Sequence, residues 1–238
     1  MKIITVIPAR GNSKSIPLKN LSKLNQKPLI YYSIKHSLKC KMIDRTIVST
    51  DNKLITKVAK KYGAEVPFLR PKNLSKDSSK DIGFFKHLLT WLKKYENYRP
   101  DLIIQLRPTN PLRNQKLISE AINLMKKYKN ADSLRSISVP ERSPYKMWVK
   151  KGKYLEYFMK NKSNKKDYFN MDRRKLPKVF WHDGVIDIVR SETIENHRDL
   201  IGDKIIYIEN RFPYLIDIDS PQDLKIANLL AKNGEIKL

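Results

Sequence analysis

The sequence predicts an α/β fold in three layers, an open and mostly parallel sheet with helices on both faces. Up to about residue 132, short apolar runs rich in β-branched residues alternate with longer segments of helical period. The 238 residues, 40% apolar and 9% aromatic, suffice for the buried core of one large domain. No window approaches the 18 or more consecutive apolar residues of a membrane span, which excludes integral membrane proteins of the helical kind.

Residues 2–7 (KIITVI) predict a buried first strand, and their direct passage into polar sequence argues against a signal peptide. Residues 28–39 predict a helix, with Leu29, Tyr32, Ser33, His36 and Ser37 at helical spacing and an end near Cys40. A second strand covers 45–49 (RTIVS). A helix over 52–62 follows, with Leu54, Ile55, Val58 and Ala59 on one face and Gly63 as its stop. A short strand is expected over 65–68, a longer amphipathic helix over 81–95 and a core strand over 101–106 (DLIIQL). The helix over 115–128 carries Leu117, Ile118, Ala121, Ile122 and Met125 as its apolar stripe.

After Asp132 the rhythm changes. A strand over 134–139 leads into Pro140, Pro144, Trp148 and a lysine-rich stretch, an excursion rather than another helical crossover. Within it, 161–166 (NKSNKK) predicts a solvated loop, and Trp148 predicts interface or core packing. Strands over 185–189 and 205–208 and a helix over 221–231 complete the chain, which contains no internal repeat. The domain reading is a single domain over 1–238 with an insert at about 138–182.

The formal charge of +25 invites a nucleic-acid reading. However, 36 of the 49 basic residues are lysine, and they are dispersed along the chain. A polynucleotide binder calls for clustered cations with interleaved aromatics. Dispersed lysine instead describes a solvated surface that still attracts anionic ligands. A single cysteine, Cys40, excludes a disulfide framework and a Cys-cluster zinc site, so the expected compartment is the cytoplasm.

The loop over 7–20 (IPARGNSKSIPLKN) leaves the first strand and carries Arg10, Lys14 and Lys19 among small residues. Ordinary strand-to-helix connections take about 2–6 residues. A longer basic loop can cradle a phosphate chain with its amides and offset charge on a leaving pyrophosphate. It matches neither the Walker A pattern nor GxGxxG. Asp77 and Ser79 lie in KDSS, which could cap the helix that follows. Asp217 and Asp219 flank Ile218. On a strand the two carboxylates share a face and suit a hard cation; alternatively the segment is a strand end leading to a cap at Ser220.

The loop resembles the opening motif of the acylneuraminate cytidylyltransferases, which make CMP-activated nonulosonic acids. The likeness continues through Val48-Ser49-Thr50-Asp51, Leu69-Arg70-Pro71, Lys76-Asp77-Ser78-Ser79, Arg107-Pro108-Thr109-Asn110-Pro111-Leu112-Arg113, residues 173–187 and Ile216-Asp217-Ile218-Asp219. It implies a Rossmann-like nucleotidyltransferase fold, CTP and an acidic nine-carbon sugar as substrates, Mg²⁺ as cofactor, and a homodimer built through the insert. It implies no nucleic-acid or membrane partner, and an eight-carbon ulosonic acid is the alternative acceptor.

By the same resemblance, Arg10, Asn12, Ser13, Lys14, Lys19 and Asn20 hold the triphosphate, with Arg70, Asp77 and Ser79 also at the nucleotide. Arg107, Thr109, Asn110, Arg173 and Asp183 hold the sugar, and Asp217 and Asp219 hold the metal. Arg10, Lys19, Arg173 and Asp217 carry catalysis. The chain departs from the family's pattern at Arg107 in place of Gln, Asn110 in place of Ser, Asp183 in place of Asn and Ser15 in place of Gly. A guanidinium at 107 favours an acidic or acceptor-rich group, either the sugar carboxylate or an acyl oxygen, unless it turns to Asp101 or the following helix. His182 reads as a general base or as a packing and hydrogen-bonding residue. Cys40 reads as structural.

Overall fold

The structure is a computed structural model; it describes residues 1–159, 168, 170–197, 199–210 and 215–236. β1 (Ile3–Pro8) leads through the long loop to a two-residue ladder, β2 (Lys23–Leu24) against β3 (Lys27–Pro28), and then to α1 (Leu29–Lys39). Next come β4 (Arg45–Ser49), α2 (Lys53–Lys61), α3 (Asp81–Glu96), β5 (Leu102–Gln105), α4 (Gln115–Lys127) and β6 (Ser133–Ser138). The remainder comprises a hairpin of β7 (Trp148–Lys151) and β8 (Tyr154–Tyr157), then β9 (Trp181–Arg190), α5 (Ser191–Asn196), β10 (Ile205–Glu209) and α6 (Pro221–Lys232).

The six main strands lie in the order β10-β6-β9-β5-β1-β4. β1 runs parallel to β4 and β5, and β10 runs parallel to β6. β9 alone runs against its neighbours, β5 and β6, so the sheet is largely parallel as expected. Strand periodicity sorts the core into two layers. Ile3, Ile7, Val48 and Ile104 pack beneath α1, α2 and α4, whereas Ile4, Val6, Ile47 and Ile103 pack beneath α3 and α5. The predicted stripe of α4 is buried throughout.

Three local expectations fail. Residues 65–68 form no strand: Glu65 makes an isolated bridge to Ile47 of β4 and Leu69 another to Thr50 just beyond it, and Pro67 between them lacks the N–H that a ladder needs. Leu54 is 57% exposed. Asn52 caps α2 with its side-chain oxygen, and the turn then buries Ile55 and Ala59 while Leu54 stands one residue off that stripe. The expected strand over 185–189 begins four residues earlier, and its register against β6 shifts between Arg135 and Ile137. Gly184 lies in that irregular stretch at φ +67°, a conformation that favours glycine.

The excursion contains the β7–β8 hairpin, every residue of which is exposed, with the Trp148 and Tyr157 rings 4.4 Å apart. Trp148 is therefore not core. The predicted loop over 161–166 lies outside the described residues. At the far end, Ser220 and Asp223 form a reciprocal capping box on α6, as the cap reading of Ser220 expects. Ala227 of this helix packs with Leu24, Leu29, Tyr32 and Ile218, which anchors the Asp217–Asp219 segment beside the first loop.

Candidate active site

The parallel strands β1 and β5 end at one edge of the sheet, where open α/β sheets bind ligands. A cleft of about 310 Å³ opens there. The long loop forms one side. Gly11 donates its N–H to Asp51 at 2.8 Å, and a Cβ at that position would stand 2.7 Å from Asn52 Nδ2, so the loop's approach to α2 requires glycine. Asn20 is buried and donates to the Arg10 carbonyl at 2.9 Å, tying the two ends of the loop together. Leu18 stands at φ +49°, a left-handed conformation that L-residues adopt at a cost of about 1 kcal/mol.

These bonds bring Arg10, Ser13, Lys19 and Asn20 to the cleft. Asn12 and Lys14 are exposed on the loop outside its lining. Arg10 pairs with Asp77 at 2.7 Å, and Lys14 pairs with the same carboxylate at 3.3 Å. Lys19 reaches Asp219 at 2.8 Å.

Asp77 and Ser79 also line the cleft, and neither caps α3. Asp77 turns to the loop cations, while the Ser79 hydroxyl donates to Asn73 O at 2.9 Å and accepts from Lys76 N at 3.1 Å. The capping alternative for KDSS therefore fails. Arg70 is buried between β4 and α3, with Nε on Ser49 Oγ at 3.0 Å and its guanidinium 4.6 Å from the Phe84 ring. Burial pushes its pKa down to about 10, against the pull of Asp51 and Asp81.

Arg107 and Thr109 form the opposite wall. Arg107 turns neither to Asp101 nor to the following helix. Its Nη1 meets Asp187 of β9, and its Nη2 meets Gln105 Oε1 at 3.2 Å and Asp81 at 3.6 Å. Burial pulls its pKa down, but Asp187 and Asp81 outweigh that effect and the net direction is upward. Burial alone would raise the Asp187 carboxyl; His182, Arg107 and Arg135 instead hold it well below the usual carboxylate range. Behind this wall Arg113 is buried, donating to Val185 O at 2.8 Å, Ser33 Oγ at 3.0 Å and Arg107 O at 2.6 Å. Burial and Arg107 bring its pKa down to about 9. Asn110 is also buried, and its Nδ2 has no hydrogen-bond partner among the described residues.

Asp217 and Asp219 are not on a strand, so their shared face does not come from strand alternation. Ile218 N bonds Thr109 O at 2.8 Å, which docks the segment on the cleft wall. Asp217 Oδ1 is buried with no partner among the described residues. Burial raises the Asp217 pKa, the Asp219 charge adds to that, and a hydrogen bond with Thr109 opposes it. An orphaned carboxylate oxygen beside a second carboxylate fits a hard dication, which commonly takes one or two protein carboxylates. Among the described residues no group of three or more His, Cys, Asp or Glu offers a fuller cage.

Two expected sugar residues lie elsewhere. The Asp183 carboxylate is buried away from the cleft, accepting from Ser136, Ser138, Asn210 Nδ2 and Val185 N, because the backbone turn at Gly184 directs it between β6 and β9. Arg173 sits on the excursion and donates to Pro140 O at 2.8 Å; it lines no part of the cleft. Sequence reasoning missed Asp81, Gln105, Arg113 and Asp187. Asp187 had a signal, a charge inside an otherwise apolar strand. Cys40 is buried with Sγ 3.7 Å from Ser119 Oγ, in keeping with a structural role.

Comparison with known proteins agrees with this fold. A family profile described as cytidylyltransferase matches residues 4–214. Over 121 residues the chain is 40% identical to a pseudaminic acid cytidylyltransferase of Campylobacter jejuni, a match covering 51% of this chain and 52% of that protein. The matched stretch thus spans about half the length of that curated relative. Over 99% of its length the chain is 29% identical to post-translational flagellin modification protein B of Campylobacter coli, covering 97% of it. Among solved structures, a CMP:2-keto-3-deoxy-manno-octonic acid synthetase complexed with CTP superposes with a TM-score of 0.69 at 16% identity, over 98% of this chain and 100% of that one, a likeness of fold.

Proposed function

Because the chain belongs to the cytidylyltransferase family, we propose that it transfers the cytidylyl group of CTP to an acidic nonulosonic acid, giving a CMP-sugar and pyrophosphate. The observation that carries this reading is the cleft itself. Two loop cations, Arg10 and Lys19, face a wall of Arg107 and Thr109 across the end of a parallel sheet, with two acidic side chains docked at its edge. The curated relative named for pseudaminic acid supports the acceptor class.

In this reading the anomeric hydroxyl attacks the α-phosphorus as the bond to the β-phosphate breaks. Arg10, Lys14 and Lys19 exchange their carboxylate partners for triphosphate oxygens and stabilise the charge that develops on pyrophosphate. Arg70 and Ser79 line the nucleotide side, and Arg107 and Asn110 the sugar side. Asp217 and Asp219 are the residues that would hold Mg²⁺, which when bound supplies neutralisation of phosphate charge and polarises the reacting centre. Asp183 serves this site through the shape of β9 rather than by contact.

We also assign the exposed hairpin to a homodimer contact. Tyr154, Leu155 and Phe158 are 79%, 62% and 56% exposed, an apolar display that marks interaction surfaces. Arg173 lies beside that excursion and outside its own chain's cleft, so it keeps a catalytic role only if the arm of one copy reaches the site of another. No helix among the described residues is long and apolar enough to cross a membrane. The reaction is assigned to the cytoplasm, where CTP is made and a lone buried thiol stays reduced.

Phosphate release measured in the presence of pyrophosphatase, with each of the four ribonucleoside triphosphates and a panel of ulosonic acids, tests the reading. It predicts release that depends on CTP and on an acidic sugar. Equal rates with all four nucleotides, or release indifferent to the sugar, would refute it.

A further inference from the structure

The cation on the sugar wall is not free. Arg107 gives one nitrogen to Asp187, whose side chain is 3% exposed. The other oxygen of Asp187 forms an ion pair with Arg135 at 3.1 Å and meets His182 Nε2 at 2.6 Å. Arg107 follows β5, Arg135 belongs to β6, and His182 and Asp187 belong to β9, so the carboxylate ties three adjacent strands together. Residues five apart on a regular strand face opposite ways. The irregular stretch around Gly184 and the register shift on β6 bring His182 and Asp187 to one side.

This arrangement changes what Arg107 can recognise. Asp187 and Asp81 together offset the charges of Arg107 and Arg135. An uncompensated guanidinium draws a carboxylate, whereas a compensated one presents its remaining N–H groups as directional donors. A second donor stands beside it. Arg107 Nη1 also donates to Gly184 O at 3.4 Å. A Cβ on Gly184 would lie 3.3 Å from Nη1 and 3.9 Å from Asn110 Nδ2, so the two nitrogens lie close together beside a position that only glycine accommodates. Asn110 Nδ2 is buried and has no partner among the described residues. The His182 ring, held by Asp187 at one nitrogen, stays 45% exposed. The wall therefore offers donors in fixed directions and little net charge.

Resting on the cytidylyltransferase reading above, we propose that Asp187 is a positioning residue that fixes Arg107 and His182 as a charge-compensated, hydrogen-bonding wall, and that this wall selects an acylamino group of the sugar rather than its carboxylate. The carboxylate is common to nonulosonic and eight-carbon ulosonic acids. Acylamino groups belong to the former, and their carbonyl oxygens match donors placed in this way.

The experiment compares wild type with Asp187→Asn, Asp187→Glu and His182→Gln. It measures kcat and KM for N-acetylneuraminic acid and pseudaminic acid, KM for CTP, and turnover or competitive inhibition by the eight-carbon 3-deoxy-manno-octulosonic acid. Asp187→Asn and His182→Gln should each lower kcat/KM for the acylated acids by roughly tenfold, through KM. The constants for CTP and for the eight-carbon acid should stay within about twofold, and Asp187→Glu should recover part of the loss. His182→Gln changes an exposed ring, so it remains informative if Asp187→Asn does not fold. A parallel loss for the eight-carbon acid would show that the wall reads the shared carboxylate, and a parallel loss for CTP would show that Asp187 only braces the sheet. Unchanged acceptor ratios in His182→Gln would also overturn the proposal. If wild type turns over no acidic sugar with CTP, the functional reading itself fails instead.

Discussion

The two sides of the cleft use charge in opposite ways. On the loop side the ion pairs stand in water: the Arg10 and Asp77 side chains are 36% and 35% exposed, and Lys14 is 80% exposed. On the opposite wall Arg113 and Asp187 are 4% and 2% exposed, and their polar atoms are matched by carbonyls, hydroxyls and opposite charges. Solvent-exposed pairs contribute about 0–1 kcal/mol each, so the loop cations can exchange a carboxylate for a phosphate at little cost. Breaking a buried pair costs about 3–5 kcal/mol, so the far wall must keep its partners throughout a turnover. One side is built to change partners and the other to hold its shape.

Lys19→Ala is the strongest test of that division. Its side chain is 15% exposed at the junction of loop and Asp219, where the ammonium can follow charge onto the leaving group. Turnover should fall about 10²–10³-fold, in the range seen when one stabilising donor of a transition state is removed. The melting temperature should hold, because the pair is worth little to the fold. A variant that melts early but turns over normally would reverse the comparison. Asp217→Asn comes next. Burial and the Asp219 charge disfavour its ionised form, so neutralising it should hold or raise the unfolding free energy while turnover at limiting Mg²⁺ drops by roughly 10²-fold. Wild-type turnover under those conditions would remove the metal from these residues.

The same asymmetry explains what could be read in the sequence. The loop side was legible because its chemistry is contiguous: Arg10, Lys14 and Lys19 lie in one stretch of the chain. The sheet was legible because period-two runs such as KIITVI declare a strand wherever they occur. The far wall is assembled from Arg107, Arg135, His182 and Asp187, spread over four motifs. Strand alternation would have set His182 and Asp187 apart, and only the irregularity at Gly184 joins them. It also turned Asp183 inward, away from the cleft where the sequence reading expected it. Asp217 and Asp219 do come together as the sequence suggested, but through docking on Thr109 and not through strand alternation.

The buried side should also reveal itself through pH. His36 of α1 sits behind the wall with Nδ1 3.2 Å from Gln115 Oε1. Burial, then Arg113, lowers its pKa from 6.5 to about 4, with Lys35 adding to the effect and hydrogen bonds with Gln115 and Pro111 opposing it. The folded state therefore keeps this ring neutral. Above pH 6.5 neither state is protonated there and stability is complete; between 6.5 and about 4 only the unfolded chain takes up the proton, and stability falls. At pH 5 the loss should be about 2 kcal/mol by linkage. Denaturant titrations at pH 7.5 and 5.0 should show this loss in wild type and a smaller one in His36→Gln. Identical losses in both would place the acid sensitivity elsewhere.

The smallest effect is the most discriminating for the loop. Asp77 pairs with Arg10 and Lys14, and the resemblance places it at the nucleotide. If it does no more than hold the two cations, it competes with the triphosphate for them. Asp77→Ala should then tighten CTP by about two- to fivefold, since an exposed pair contributes under about 1 kcal/mol. Unfolding free energy should change by less than about 0.5 kcal/mol, as for most exposed substitutions. The gain should shrink with added salt, because these charges are open to solvent. Calorimetric titration of CTP at two salt concentrations reads both quantities. Weaker binding in the variant would mean that Asp77 touches the nucleotide itself, and the loop side would then hold a fixed contact of the kind now found only across the cleft.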